Sequence, residues 1–249
     1  MDTVEPPETT EDALMGGRVR LRQPKTGYRA GLDAALLGAA IGAAEGERVL
    51  EAGCGAGAAL LQAAARASGA RFTGLERDSA AARLAQDNVR ANGAAAEVVE
   101  GDVQAGFAAL GLAPFDAAFA NPPFFDDPAA LRAPHPARRG AWMADGGLEA
   151  WTGFLLKAVR EGGRITAIHR ADRLGDLLAL LGDKAGSFQV RPVHPFADAP
   201  AKRVLVRAIK TGKAPLLLLP PLVVHERERG RHTAEAEAIV RGEAELGWL

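Results

Sequence analysis

Val49-Leu50-Glu51-Ala52-Gly53-Cys54-Gly55-Ala56-Gly57-Ala58 runs from an apolar strand pattern into an alanine-rich helix pattern through three alternating glycines. Glycine lets the backbone turn sharply and lets a ligand approach it closely. At the carboxyl end of a parallel strand, such a loop sits where open α/β sheets hold cofactors. A dinucleotide fingerprint would read Gly-x-Gly-x-x-Gly, whereas this loop is Gly53-x-Gly55-x-Gly57 with the acid Glu51 two residues before it. Taken alone, the loop also fits a tight turn without a ligand, or an NAD-dependent oxidoreductase.

Strand and helix signals alternate outward from it. Apolar runs bounded by turn residues predict strands over 48–51, 71–76, 97–101, 115–121 and 163–168, and apolar residues at helical spacing predict helices over 58–67, 79–92, 148–159 and 173–181. Such alternation implies a parallel sheet with helices on both faces. Two further strands over 188–194 and 203–209 have no helix between them, so they should pair antiparallel at the sheet edge. The predicted fold is therefore α/β, a doubly wound, seven-stranded, mostly parallel sheet with an antiparallel edge hairpin. The apolar run over 216–224 is broken by Pro220-Pro221 and suits an edge or covering segment. Thr233 should cap a last helix, with Glu235 in its first turn, reaching about Arg241.

Ahead of the loop, residues 1–15 carry five acids and no base, which reads as a flexible acidic tail, and residues 16–249 read as one domain. Arg18-Val19-Arg20-Leu21-Arg22 then alternates like a half-buried strand, and a helix should follow over 33–44 with Asp33 as its N-cap. We read 16–47 as an N-terminal hairpin and helix. The 249 residues hold 30 Lys plus Arg against 31 Asp plus Glu, 48% hydrophobic residues and one cysteine, the composition of an ordinary soluble globular chain. Cys54 can form no internal disulfide, no Cys/His cluster suggests a metal, and no apolar run is long enough to span a membrane. The acidic start lacks the basic-then-apolar order of a signal peptide, so a cytoplasmic address is expected.

The glycine loop with Glu51 resembles motif I of the class I S-adenosylmethionine-dependent methyltransferases, which have a Rossmann-like fold. The resemblance implies a loop of Glu51, Gly53, Cys54, Gly55 and Gly57 around the methionine end of S-adenosyl-L-methionine. It also implies Glu76 on the ribose hydroxyls, Asp102 on the adenine amino group and a backbone contact from Val103. Cys54 lies inside this loop and away from the acceptor side, so it reads as a small filler and not as a nucleophile.

Strand 115–121 stops at Asn121-Pro122-Pro123-Phe124, which is similar to the Asn/Asp-Pro-Pro-Tyr/Phe motif of methyltransferases acting on planar nitrogens. An amino group conjugated to a ring has a delocalised lone pair and is a poor nucleophile. The Asn121 side-chain oxygen and the Pro122 carbonyl can each accept one of its hydrogens, Pro123 stiffens the turn, and Phe124 can stack on the acceptor plane. Asn121 counts among the cofactor contacts as well.

Such enzymes modify adenine N6 in DNA or RNA, guanine N2 in ribosomal RNA, or a release-factor glutamine. The stretch Gly27-Tyr28-Arg29-Ala30-Gly31-Leu32-Asp33-Ala34-Ala35-Leu36-Leu37, together with Gly230-Arg231-His232-Thr233-Ala234-Glu235, resembles the tRNA (adenine-N6)-methyltransferases that modify valine tRNA beside the anticodon. That family implies tRNA as partner, with Lys25, Tyr28, Arg29 and Asp33 near the cofactor. The rivals are release-factor glutamine N5 and ribosomal RNA guanine N2. The active-site loop over 122–147 is long, and Phe125, Arg132, Arg138, Arg139 and Trp142 in it are candidates to hold the nucleic acid. The net charge of −1 conceals a basic run over 18–29 and another over 202–231, which should share one face with the cofactor edge.

Overall fold

The structure, a computed structural model, describes residues 8–26, 29–123, 147–228 and 230–248. Thr9–Leu14 forms strand β1 and pairs antiparallel with β2 (Val19–Pro24), from Leu14 opposite Val19 to Thr9 opposite Pro24. The expectation of a flexible tail up to residue 15 is thus corrected over β1. Its acids meet the basic run in the next strand: Glu11 lies opposite Arg22, Glu8 pairs with Lys25 at 3.0 Å and Asp12 with Arg29 at 2.7 Å. The alternation along β2 is as read, with Val19, Leu21 and Gln23 buried and Arg20 and Arg22 exposed.

Helix α1 (Leu32–Ala39) starts after Gly31, which stands at the N-cap with no side-chain cap. Asp33 is therefore not the cap. It lies in the first turn, where its charge suits the helix dipole and pairs with Arg203 at 2.9 Å. α1 also ends well before residue 44. Next come β3 (Arg48–Ala52), α2 (Ala58–Arg66), β4 (Arg71–Glu76), α3 (Ser79–Asn92), β5 (Ala96–Glu100), β6 (Phe115–Ala120), α4 (Gly147–Ala158) and β7 (Val159–Arg170). α3 is capped by Asp78, which accepts from the amides of Ala80 and Ala81, and it stops at Gly93 in a left-handed conformation. The chain closes with α5 (Leu174–Gly182), β8 (Ala185–His194), β9 (Arg203–Lys210), the short β10 (Leu217–Leu218) and β11 (Leu222–Val223), and α6 (Ala234–Val240).

The main sheet runs β10-β8-β9-β7-β6-β3-β4-β5, with β11 also on β8. β5, β4, β3, β6 and β7 are parallel, and β9 is antiparallel to both β7 and β8. The seven expected strands are present, and the segment with two prolines adds β10 and β11 on either side of Pro220-Pro221. Both faces of the centre are covered, as the unbroken burial of Val49 to Ala52 requires. One face carries α1, α2 and the hairpin, and the other carries α4 over Leu50, Phe115 and Ile165. Gly38 lets α1 and α2 approach closely: a Cβ there would sit 2.9 Å from the Cβ of Gln62.

The hairpin is docked by two side-chain amides of α3. Asn88 accepts from the Arg22 amide at 2.9 Å and donates to the Arg22 carbonyl at 2.7 Å. Asn92 does the same for Arg20, at 2.9 and 2.7 Å. Four helical residues rise about 6 Å and two strand residues about 6.8 Å, so the i, i+4 asparagines match the i, i+2 arginines and stand in for a neighbouring strand. Asn88 also donates to the carbonyl of Ala56 at 2.9 Å, which joins hairpin, α3 and glycine loop at one buried group. Asn88→Ala should therefore cost about 1–3 kcal/mol, measured by chemical denaturation, because it strands buried backbone partners of the amide. An unchanged denaturation midpoint would contradict this account of the docking.

Candidate active site

Because β3, β4, β5 and β6 are parallel neighbours, their carboxyl ends share one edge. Ala52 is level with Leu75 and Ala120, and Glu76 with Glu100. The chain leaves β3 toward β4 on one side, while β6 lies on the other, so a crevice opens between β3 and β6 where open α/β sheets bind ligands. This edge collects Glu51, Gly53, Gly55, Gly57, Glu76, Asp102, Val103, Asn121, Pro122 and Pro123, with Cys54 buried just beneath, while Arg29 and Asp33 line a cleft further along the same edge and Lys25 stays with the hairpin.

All three loop glycines have positive φ, at 70°, 54° and 89° for Gly53, Gly55 and Gly57. Gly53 is doubly constrained, since a Cβ there would lie 2.4 Å from the ring of Trp151 on α4. Trp151 was not singled out from the sequence, where it reads only as an apolar helix position. Gly55 has open space where a Cβ would stand, so its backbone faces the crevice. The Glu76 carboxylate accepts from the amides of Gly55 and Asp78, both at 2.9 Å, which ties the tip of the loop to the end of β4. A carboxylate has about four lone-pair sites, so each oxygen keeps capacity for a further donor. Cys54 is buried beneath, its sulfur 2.7 Å from where a Cβ at Gly74 would be, and burial pushes its thiol well above the usual range. It is thus held as an inert thiol.

Glu51 is 3% exposed, and its Oε2 has no hydrogen-bond partner in the protein. Burial raises its carboxyl well above the usual carboxylate range, the charge of Glu76 adds to this, and the Leu60 amide opposes it. A buried carboxyl oxygen without a partner beneath a glycine cradle has capacity for a hydrogen bond to a ligand. At β5, Asp102 accepts from the Gln104 amide at 2.9 Å and caps the short turn Val103–Ala105, which leaves both residues half-buried at the rim. Asn121 follows directly on β6, with Pro122 buried behind it.

The cations expected to turn toward a cofactor are engaged inside the hairpin. Lys25 holds Glu8, and Arg29 holds Asp12, the Thr10 hydroxyl and the Pro24 carbonyl. His194 contacts the Ala199 carbonyl at 2.7 Å, and His225 bridges to His232. Tyr28, Phe124, Phe125, Arg132, Arg138, Arg139 and Trp142 lie outside the described residues. Among the described residues no group of His, Cys, Asp or Glu could hold a metal, and no helix is long and apolar enough to cross a membrane.

The buried Glu51 makes the ligand-free protein sensitive to pH. Its folded state keeps a proton that the unfolded chain releases, so its contribution to stability falls as pH rises above the ordinary carboxylate range. Glu51→Gln should raise the melting temperature by about 2–4 °C at neutral and mildly alkaline pH, with the gain shrinking as pH falls through that range. A calorimetric scan in which the variant gains nothing at alkaline pH would refute this.

Residues 30–133 match the family model "Methyltransferase small domain". Over 226 residues, 86% of each chain, the sequence is 30% identical to tRNA1(Val) (adenine(37)-N6)-methyltransferase of Dickeya chrysanthemi strain Ech1591. It is 37% identical over 111 residues to the enzyme of the same name from Actinobacillus succinogenes, covering 43% of this chain and 47% of that one. A predicted O-methyltransferase from Agrobacterium tumefaciens superposes with a TM-score of 0.71 at 27% identity, over 86% of this chain and 98% of its own. The 16S rRNA N2 G1207 methyltransferase of T. thermophilus, solved with AdoMet and guanosine, shares the fold with a TM-score of 0.56 at 22% identity, over 82% of this chain and 50% of its own. With a glycine cradle on β3, acids closing β4 and β5 and an Asn-Pro-Pro turn on β6, the chain belongs to the S-adenosylmethionine-dependent tRNA1(Val) (adenine(37)-N6)-methyltransferase family.

Proposed function

We propose that the protein methylates the exocyclic N6 amine of an adenine in tRNA, with S-adenosyl-L-methionine as donor. The observation that carries this reading is the placement of Asn121-Pro122-Pro123 at the end of β6, one strand from the glycine loop and at the same edge. The residues fit the donor on structural grounds: Gly55 offers open backbone, Glu51 an open buried acceptor and Glu76 a carboxylate already oriented by two amides. Glu51, Gly53, Gly55 and Gly57 would hold its amino-acid end, Glu76 its ribose hydroxyls, and Asp102 and Val103 its base. When bound, it supplies an activated methyl group on a sulfonium, so the protein needs no strong base.

What the chain must do is orient the acceptor. The Asn121 side-chain oxygen and the Pro122 carbonyl can each accept one hydrogen of the amine. These bonds draw the nitrogen lone pair out of conjugation with the ring and aim it at the donor. The prolines fix both acceptors before the substrate arrives, so little ordering cost is incurred on binding. Phe124 and the arginines of 125–147 remain part of the proposal as a stacking face and as phosphate contacts.

The test is incubation of the purified protein with methyl-labelled donor and unmodified tRNA, followed by mass spectrometry of nucleosides. N6-methyladenosine is the expected product, and Asn121→Ala should lower the rate on the order of 100-fold while S-adenosylhomocysteine still binds. Appearance of N2-methylguanosine in ribosomal RNA, or of a methylated glutamine in a release factor, with tRNA untouched, would overturn the reading.

A further inference from the structure

A second concavity opens at the same sheet edge, two strands beyond Asn121. β9 is antiparallel to β7, so it starts at the carboxyl edge, with Arg203 opposite Arg170 and Val193 of β8 beside it. Here the start of α1 and the ends of β8 and β11 enclose a cleft of about 470 Å³. Its polar lining is Arg29, Asp33, Lys202, Arg203 and His225, over a floor that includes Leu36 and Val193. Asp33 is taken by Arg203 and Arg29 by Asp12, while the exposed Lys202 ammonium makes no ion pair among the described residues. The cleft thus has a net positive lining with one uncommitted cation.

Rings border it. The His225 ring lies 5.9 Å from that of Phe196 and 5.1 Å from that of His232, and the Arg227 guanidinium stands 4.5 Å over Phe196. The turn carrying them is braced by the His225–His232 bridge and by the Arg227–Asp198 ion pair at 2.8 Å. A basic groove flanked by a cluster of tilted rings and an arginine is a surface that single-stranded nucleic acid can use: cations track the phosphates and ring faces receive bases. From the strand register, the start of β9 lies about 10–15 Å from Asn121. That is within reach of nucleotides adjacent to a base held at Asn121.

We infer that this cleft is a subsite for the RNA strand flanking the target adenine, with Lys202 on a backbone phosphate and the Phe196–His225 ring pair beside a neighbouring base. The inference rests on the tRNA reading above. Neither Lys202 nor the Phe196–His225 pair is among the residues proposed to hold the methyl donor, so the subsite contributes to binding of RNA and not to binding of the donor.

The experiment is fluorescence anisotropy of a labelled tRNA transcript across a salt series, together with steady-state methylation kinetics. Three variants are compared: Lys202→Ala, Lys202→Glu and the control Lys213→Glu. Lys213 is an exposed lysine just past the other end of β9, so its replacement changes net charge equally at the opposite edge. Lys202→Glu should weaken tRNA binding about tenfold, and Lys202→Ala should reduce the slope of log affinity against log salt by roughly 0.7–0.9, one phosphate contact. KM for tRNA should rise while KM for S-adenosylmethionine holds, and Lys213→Glu should match the unmodified protein. If both Lys202 variants bind and turn over tRNA normally, or if Lys213→Glu loses as much as Lys202→Glu, the subsite is refuted and the tRNA reading stands. If the unmodified protein methylates no tRNA adenine, the functional reading itself falls, whatever the variants do.

Discussion

The carboxamide of Asn88 is the point on which the arrangement of this protein depends. One buried side chain closes three hydrogen bonds, two to the backbone of Arg22 and one to the carbonyl of Ala56. Together with Asn92 it thereby holds a separate two-stranded sheet against the glycine loop of the main sheet. The hairpin shares its core with α1, whose Asp33 pairs with Arg203 beside the cleft. An amide suits the task because it presents a donor and an acceptor side by side, the same pattern a strand offers its neighbour.

The glycine loop shows the opposite economy. Nothing in its local sequence favours a folded shape; its form comes from outside, from the Trp151 ring under Gly53, the Glu76 carboxylate on the Gly55 amide and the buried sulfur of Cys54 against Gly74. Meanwhile Glu51 holds a carboxyl in a place that disfavours its charge. Fold stability is spent here on keeping a carboxyl buried and backbone bare at the edge proposed to hold the methyl donor, as is common for sites that must meet a charged ligand.

Much of this was legible in the sequence because the signals were local. Val49 to Gly57, Thr73 to Glu76 and Phe115 to Pro123 each combine an apolar strand with a chemically committed end, and each became a strand with that end at the shared edge. The same holds for Thr233, which caps α6 by accepting from the Ala236 amide. What escaped were partnerships between distant segments. The acids of Thr9–Leu14 look like a solvated tail until the basic strand that neutralises them is placed opposite, and Asp33 looks like a cap until Arg203, far along the chain, is brought to it. Asn92 was readable only as half of an Asn-Gly stop, a role Gly93 does fill, while its amide has a second role across the helix face. Trp151 carries no motif at all, and only the closeness of Gly53 reveals its importance.

The strand borders have a consequence of their own. A strand with bare amides invites another chain to add to it, and such edges need some means of refusal. In the hairpin, the far side of β2 is occupied by the side chains of α3, which leaves β1 as the border, studded with Glu11 and Asp12 and flanked by Glu8. In the main sheet, β5 ends one side with Glu97 and Glu100 along it, and β10 ends the other after only two residues, with Pro220-Pro221 next in line. The same acids that balance the basic strand therefore also act as gatekeepers against strand-by-strand aggregation, so an alanine-rich, strongly apolar sheet can be carried without a templating border.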